Sequence, residues 1–378
     1  MNQRTLLFFT VIALLGIGIV MIYSTSAIFA QERFGDGYYY LKRQALWVFI
    51  GLAAFAAAMN VDYHRLRAHS LTLVFASIAL LALVFVPGVG RTAGGASRWI
   101  RMGPVNFQPS EFAKLAVVLY MADVMARKQR QIALFWKGLA LPLALFGGML
   151  CMIMLQPDLG TTILCALVIG ILLFVAGVRM RLLLPLCLAA LPAIYALVFS
   201  SDYRRRRILA FVNPWADPEG TGFQIIQSFI ALGSGGVAGL GLAQSRQKFY
   251  YLPAAHTDFI FSIIGEELGI LGAGAVVTLF LGLLVFGMRV CAKAPDLYGH
   301  LLALGIVSML TLQALINIAV VTGSLPTKGL PLPFISFGGS SMIFNLFSLG
   351  VLMNIGRHEG TDQVAHYLES RSDRTMRI

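Results

Sequence analysis

A histidine, a threonine and an aspartate, His256-Thr257-Asp258, open a long apolar run that continues Phe259-Ile260-Phe261. A carboxylate at the edge of a hydrophobic span is expensive to bury, so its presence there points to chemistry. Desolvation lifts such a group's pKa towards working pH, which suits proton abstraction by a general base. Other ionisable side chains stand at similar boundaries. Glu111 and Lys114 follow Gln108-Pro109-Ser110 at a helix start, three residues apart and therefore on one helix face. They are either a structural ion pair or part of a polar site. Asp158, in Gln156-Pro157-Asp158-Leu159-Gly160, suits a helix cap first and a share in an outer cavity second. Further along the Asp258 helix, Glu266 falls ~80° and Glu267 ~180° from Asp258. Only Glu266 is placed to share its face, and Glu267 turns towards a neighbouring helix or cavity.

Cations gather on the same side of the chain. Arg98 lies beside Trp99, Lys328 precedes Gly329, and Arg204 to Arg207 form a run. Collected against the bias that places bases in cytoplasmic loops, they suit an anionic ligand, most simply a phosphate or pyrophosphate. A solvated run beside a helix end is the other reading of Arg204 to Arg207. Ser340, in Gly338-Gly339-Ser340-Ser341, opens the last apolar run, where free backbone N–H groups offer either an anion site or a capped helix start. No GxxxxGK[ST] occurs, so no nucleotide loop is expected. The four cysteines have neither CxxC nor Cys/His spacing. The one cofactor the chemistry leaves open is a divalent cation, Mg or Mn, accompanying a pyrophosphate, with Asp258 and Glu111 or Asp158 as oxygen donors.

The elements that must hold these groups follow from composition. The chain is 58% hydrophobic and 12% charged, with a mean hydropathy of +0.79. This excludes an ordinary soluble domain and specifies an all-α polytopic membrane protein. A net charge of +12 spread over short loops suits a membrane surface or anionic lipid, not nucleic acid. Spans are expected at 5–23, 44–60, 70–87, 110–126, 136–155, 160–177, 182–200, 259–288, 300–321 and 339–356. The first is too long for a signal peptide and is read as a retained helix. Ten helices put both ends on one side. Residues 1–357 then form one transmembrane domain and 358–378 a short cytoplasmic tail. A large outer loop, about 200–257, joins helices 7 and 8, and within it Phe223 to Leu232 is too short to cross and reads as interfacial or re-entrant.

Six separated motifs, in order, carry a resemblance: Gly95-Ala96-Ser97-Arg98-Trp99, Gln108-Pro109-Ser110-Glu111, Gln156-Pro157-Asp158, Asn213-Pro214-Trp215-Ala216-Asp217-Pro218, His256-Thr257-Asp258-Phe259 and Gly329-Leu330-Pro331-Leu332-Pro333-Phe334. Over roughly residues 5–357 the chain resembles the SEDS family of FtsW, RodA and their sporulation relative. The resemblance implies a ten-helix peptidoglycan glycosyltransferase of the bacterial cytoplasmic membrane, with its active site facing outward. Lipid II would be its substrate, and a class B penicillin-binding protein and other division proteins its partners. The segment Leu240 to Lys248 is more similar to the FtsW branch than to RodA, which implies septal wall synthesis, with elongation as the alternative. Asp258 would be the general base. Arg98, Lys114, Lys328 and the Arg204 to Arg207 run would be the candidates to neutralise the leaving pyrophosphate, and Glu111, Asp158, His256 and Ser340 would complete the substrate site. Ala254 departs from the glutamate many relatives carry there, which puts a role for a carboxylate at that position in doubt.

A lipid II flippase would also use ten helices and cavity carboxylates, but needs a polar path to the inner face. Glu111, Lys114, Asp158 and Asp258 all stand near outer helix ends and Asp123 alone near an inner one, which favours one-sided chemistry. A scaffold for a division complex would tolerate loss of Asp258.

Overall fold

The computed structural model describes residues 2–93, 96–103, 105–129, 131–132, 134–199, 202–249, 252–253 and 255–358. Gly95, Arg130, Tyr250, Tyr251, Ala254 and the tail beyond His358 lie outside the described residues. The helices in chain order are α1 (Gln3–Phe34), α2 (Tyr39–Asn60), α3 (Tyr63–Ala68), α4 (Ser70–Leu83), α5 (Pro109–Arg127), α6 (Ala140–Leu155), α7 (Leu159–Ala176), α8 (Met180–Phe199), α9 (Asp202–Val212), α10 (Phe223–Ser234), α11 (Ile260–Ala292), α12 (Leu297–Val321) and α13 (Gly339–Ile355). Each expected span holds a helix: α1, α2, α4 to α8 and α11 to α13.

Among the described residues seven helices are long and apolar enough to cross a membrane alone. Of the remaining three expected spans, α4 has only 14 residues and α5 carries Glu111, Lys114, Asp123 and Arg127. Burial resolves the conflict in α5: from Pro109 to Met125 every residue but Phe112 is buried, so its first three charges face protein, not lipid. α5 and α12 pack on each other and on α7 at the centre, while α1 lies along α11 and α2 along α13. At the inner end of α5, Asp123 accepts from Arg67 Nε at 2.8 Å and Ser70 Oγ at 2.9 Å and pairs with Arg127.

One segment differs from the sequence expectation, and two have structure that the sequence left undescribed. α1 runs to Phe34, not Tyr23, because its polar stretch stays helical. Thr25 and Ser26 return their hydroxyls to the carbonyls of Met21 and Ile22 (2.8 and 2.6 Å), and the helix ends only at Gly35 with φ 70°. The glycine-rich segment before α5 is a three-stranded antiparallel sheet, β1 (Gly90–Ala93), β2 (Ala96–Met102) and β3 (Val105–Phe107), with Gly90 and Phe107 both opposite Ile100. The arginine run is helical, as α9.

α11 is broken. Gly269 has φ 66° and ψ −165°, which interrupts the helix after its second turn and frees backbone groups at membrane depth. The loop after α10 satisfies them: Leu240 N–H donates to Glu266 O and Gly241 N–H to Glu267 O (both 3.0 Å), while the Ile270 N–H reaches Gly236 O at 3.0 Å. Irregular backbone at this depth persists only where protein meets its hydrogen bonds. The expected re-entrant segment, α10, packs beside it, its Ser228 hydroxyl reaching Ser262 Oγ and Val321 O, both at 2.7 Å.

Any side chain at 269 would collide with the backbone of Val237 and Gly239. Gly269→Val is therefore expected to destabilise the protein by about 3 kcal/mol or more. Gly274→Ala, in helical backbone with open space around it, should be neutral or slightly stabilising. Thermal unfolding of the two purified variants in the same detergent checks the contrast.

Candidate active site

Four elements converge on a cavity of about 250 Å³: β2 through Arg98, the start of α7 through Asp158 to Gly160, α9 through Arg204 and Arg207, and the α12–α13 loop through Thr327, Lys328 and Gly329. α9 brings Arg204 and Arg207 to one side because they are three residues apart. Arg98 is fixed by two carbonyls: Nε donates to Gln156 O at 3.0 Å and Nη2 to Pro157 O. Arg207 Nη1 donates to Thr327 O at 3.1 Å.

Asp258 adjoins this cavity. A β-carbon on Gly329 would lie 3.1 Å from its Oδ2 and 3.9 Å from Arg98 Nη1, so the glycine leaves room around the carboxylate. Although the residue as a whole is only half-buried, its carboxyl is crowded by protein. Desolvation raises its pKa to about 6, against the opposing pull of Arg207 and then Arg98, with a small push from Asp158. Lys328 has its pKa lowered by burial. The Asp258 turn is anchored from α12: Asn317 Nδ2 donates to Asp258 O at 2.8 Å and to Leu330 O at 2.7 Å. Ser336 closes the same seam by donating to Thr257 O at 2.6 Å, and Phe337 N–H donates to His256 O at 3.0 Å.

The chain matches the family described as cell cycle protein, that of FtsW, RodA and SpoVE, over residues 4–361. The chain belongs to this family. A probable peptidoglycan glycosyltransferase FtsW of Geobacter metallireducens is 48% identical over 93% of the chain and 94% of the relative. Stage V sporulation protein E of Bacillus subtilis is 45% identical over 93% and 96%. Among solved structures, one described as "structural coordination of polymerization and crosslinking by a peptidoglycan synthase complex" has a TM-score of 0.77 at 33% identity, covering 94% of this chain and 98% of that one. The rod shape determining protein RodA of Thermus thermophilus has a TM-score of 0.69 at 29% identity, covering 93% and 96%.

In this family member Asp258, Arg98, Asp158 and Lys328 meet at one place, and the other expected site residues do not line the cavity. Asp158 caps α7, accepting from Thr161 N (3.2 Å) and Thr161 Oγ1 (2.9 Å), while also lining the cavity. Glu111 and Lys114 are a fully buried pair at 2.9 Å. Lys114 Nζ also donates to Gln313 Oε1 at 2.7 Å, and Gln313 Nε2 donates to Pro331 O at 2.8 Å, so the pair braces the α12–α13 loop from below. His256 is enclosed by Tyr40, Phe29 and Phe337, with ring centroids 4.8 to 6.1 Å away, and burial lowers its pKa to about 4. It is neutral at working pH. Ser340 Oγ accepts from Gln108 N–H at 3.1 Å, tying β3 and α5 to α13, and the Trp47 ring covers the neighbouring Gly339.

Glu266 does not share the Asp258 site. Its carboxylate accepts from Ser245 Oγ and from the Arg246 and Gln247 N–H groups (2.9 and 3.4 Å). Glu267 turns to a neighbouring helix as expected, accepting from Ser24 Oγ (2.7 Å) and pairing with Lys248 Nζ (3.0 Å). Both fasten the α10–α11 loop. Sequence reasoning missed Asn317 and Gln313, although amides inside an apolar run were the available signal.

Lys248→Met leaves Glu267 charged and buried, so it should cost about 3 to 5 kcal/mol. The double variant Lys248→Met/Glu267→Gln should recover a large part of that loss, as read by a thermal double-mutant cycle.

Proposed function

We propose that this chain polymerises lipid II into glycan strands at the outer face of the bacterial cytoplasmic membrane, during septal wall synthesis. It is a peptidoglycan glycosyltransferase of the FtsW type. The observation that carries the mechanism is one carboxylate with a raised pKa beside a cavity lined by four cations, Arg98, Arg204, Arg207 and Lys328. The acceptor sugar's hydroxyl oxygen attacks the anomeric carbon of the lipid-linked donor, and Asp258 takes the hydroxyl proton. The bond from that carbon to the phosphate oxygen breaks with its electron pair, and undecaprenyl pyrophosphate departs as an anion. Attack opposite the leaving group inverts an α-linked donor to a β-linked product. One carboxylate suffices because the leaving group needs charge neutralisation more than a proton, and preorganised cations supply it.

A divalent cation with the pyrophosphate would take oxygens from Asp258 and Asp158, which meet at the cavity, and not from Glu111, which is paired with Lys114 away from it. When bound it would neutralise phosphate charge. Among the described residues no three His, Cys, Asp or Glu side chains cluster to hold one.

The 48% identity to FtsW-named relatives, against 29% to RodA of Thermus thermophilus, supports the division role over elongation. The likeness to a complex that couples polymerization to crosslinking supports a class B penicillin-binding protein as partner, with other division proteins. We assign residues 1–357 to one transmembrane unit and 358–378 to a cytoplasmic tail.

Asp258→Ala, purified with the partner and confirmed folded, is expected to lose at least about a hundredfold in polymerisation of purified lipid II. Equal product from wild type and variant removes Asp258 as the base, and no product from either leaves lipid II transport as the reading to pursue. Asp258 acts in its ionised form, so kcat/KM should fall as pH drops through about 6. Arg207→Gln removes a cation that lowers this pKa, so the acid limb should move to higher pH. A pH–rate profile of both proteins checks position and direction.

A further inference from the structure

The end of the bundle opposite Asp258 carries a second charged groove. Ser24 meets Glu267 on the Asp258 side, and Arg4 is twenty residues earlier on the same helix, ~30 Å away at helical rise. Arg4 is also the charged residue that immediately precedes the apolar run of α1, so it stands at the far membrane boundary. There α1, α2 and the end of α13 enclose a groove of about 540 Å³. Its rim is Arg4 and Arg357, and its wall is Phe8, Phe9, Phe55 and Met353. Phe9 is 56% exposed, which opens the apolar wall to lipid.

The two arginines are set differently. The Arg4 stem lies on Gly356, where a β-carbon would come within 3.2 Å of its Cδ, and its Nε is buried with no hydrogen-bond partner. Arg357 reaches Asn60 Oδ1 at 3.4 Å and is otherwise exposed. No carboxylate lines the groove among the described residues. A buried guanidinium N–H without an acceptor is costly, and an anion with two oxygens matches the planar donor fork.

We propose that this groove binds an anionic phospholipid, with Arg4 and Arg357 holding the phosphate and the aromatic wall receiving an acyl chain. Charge complementarity selects an anion, and the apolar wall continuing from the cationic rim at membrane depth selects a lipid over a soluble one. The site is separate from the substrate cavity by the length of α1. It takes a resident lipid of the leaflet away from Asp258, not the polymerised substrate.

The test uses the full-length protein in a zwitterionic detergent, titrated with phosphatidylglycerol or phosphatidylcholine and read by native mass spectrometry. Wild type should retain phosphatidylglycerol selectively. Arg4→Gln/Arg357→Gln should weaken that binding about thirtyfold, with phosphatidylcholine adducts unchanged. Arg65→Gln, an exposed arginine outside the groove, should not. If the double variant fails to fold, Arg357→Gln alone, at an exposed position, should still reduce retention. Unchanged phosphatidylglycerol binding in a folded variant overturns the proposal. So does complete displacement by millimolar inorganic phosphate, which would make this an ion site, or loss of selectivity in a chain ending at His358, which would assign binding to the tail.

Discussion

One side-chain amide holds the site together. Asn317 Nδ2, on the buried helix α12, binds the carbonyls of Asp258 and Leu330 at once, so the turn with the reactive carboxylate and the loop with Lys328 and Gly329 share one fixed point. Those two segments are 70 residues apart in sequence and neither is regular secondary structure. A hydrogen bond of this kind contributes only about 1 kcal/mol net, but leaving two buried carbonyls unpaired would cost more. Ser336 and the Gln313 to Pro331 contact repeat the arrangement, and through Lys114 it extends to Glu111. The buried ion pair thus acts on the cavity indirectly, through the loop it supports.

The cavity balances two opposing demands. A base for a sugar hydroxyl benefits from a dry site that raises its pKa, whereas a pyrophosphate leaving group needs cations that lower the pKa of any carboxylate nearby. The structure separates them slightly: Arg98 and Arg207 are each tethered to backbone carbonyls, and Asp258 adjoins them across Gly329. Desolvation prevails, and the carboxyl stays near the range where proton transfer to it is efficient.

The spans were legible because hydropathy over ~20 residues is a strong signal and lipid permits few alternatives. Asp258 was legible for the same reason, since a carboxylate beside an apolar run is conspicuous. The sheet before α5 was not, because three strands of three to seven residues rest on pairings that a glycine-rich stretch does not advertise. Nor was the end of α1: Ser24-Thr25-Ser26 reads as an exit from the membrane, yet the hydroxyls are satisfied within the bundle. Glu266 misled for a geometric reason. Asp258 lies before the first turn of α11, so helical angles do not relate it to Glu266, whose carboxylate is taken up by the loop after α10. Spacing along a chain cannot reveal which distant loop will claim a side chain.

The break at Gly269 has a mechanical meaning. The short upper segment of α11 accepts hydrogen bonds sideways from residues 240 and 241 and is pinned through Glu266 and Glu267 to 245–248, whereas the long lower segment meets the same loop only at its first residues, Ile270 and Leu271, and then packs on α1 and α12. A displacement applied to the outer loop by a neighbouring protein would therefore reach the Asp258 turn as motion of a small rigid lever.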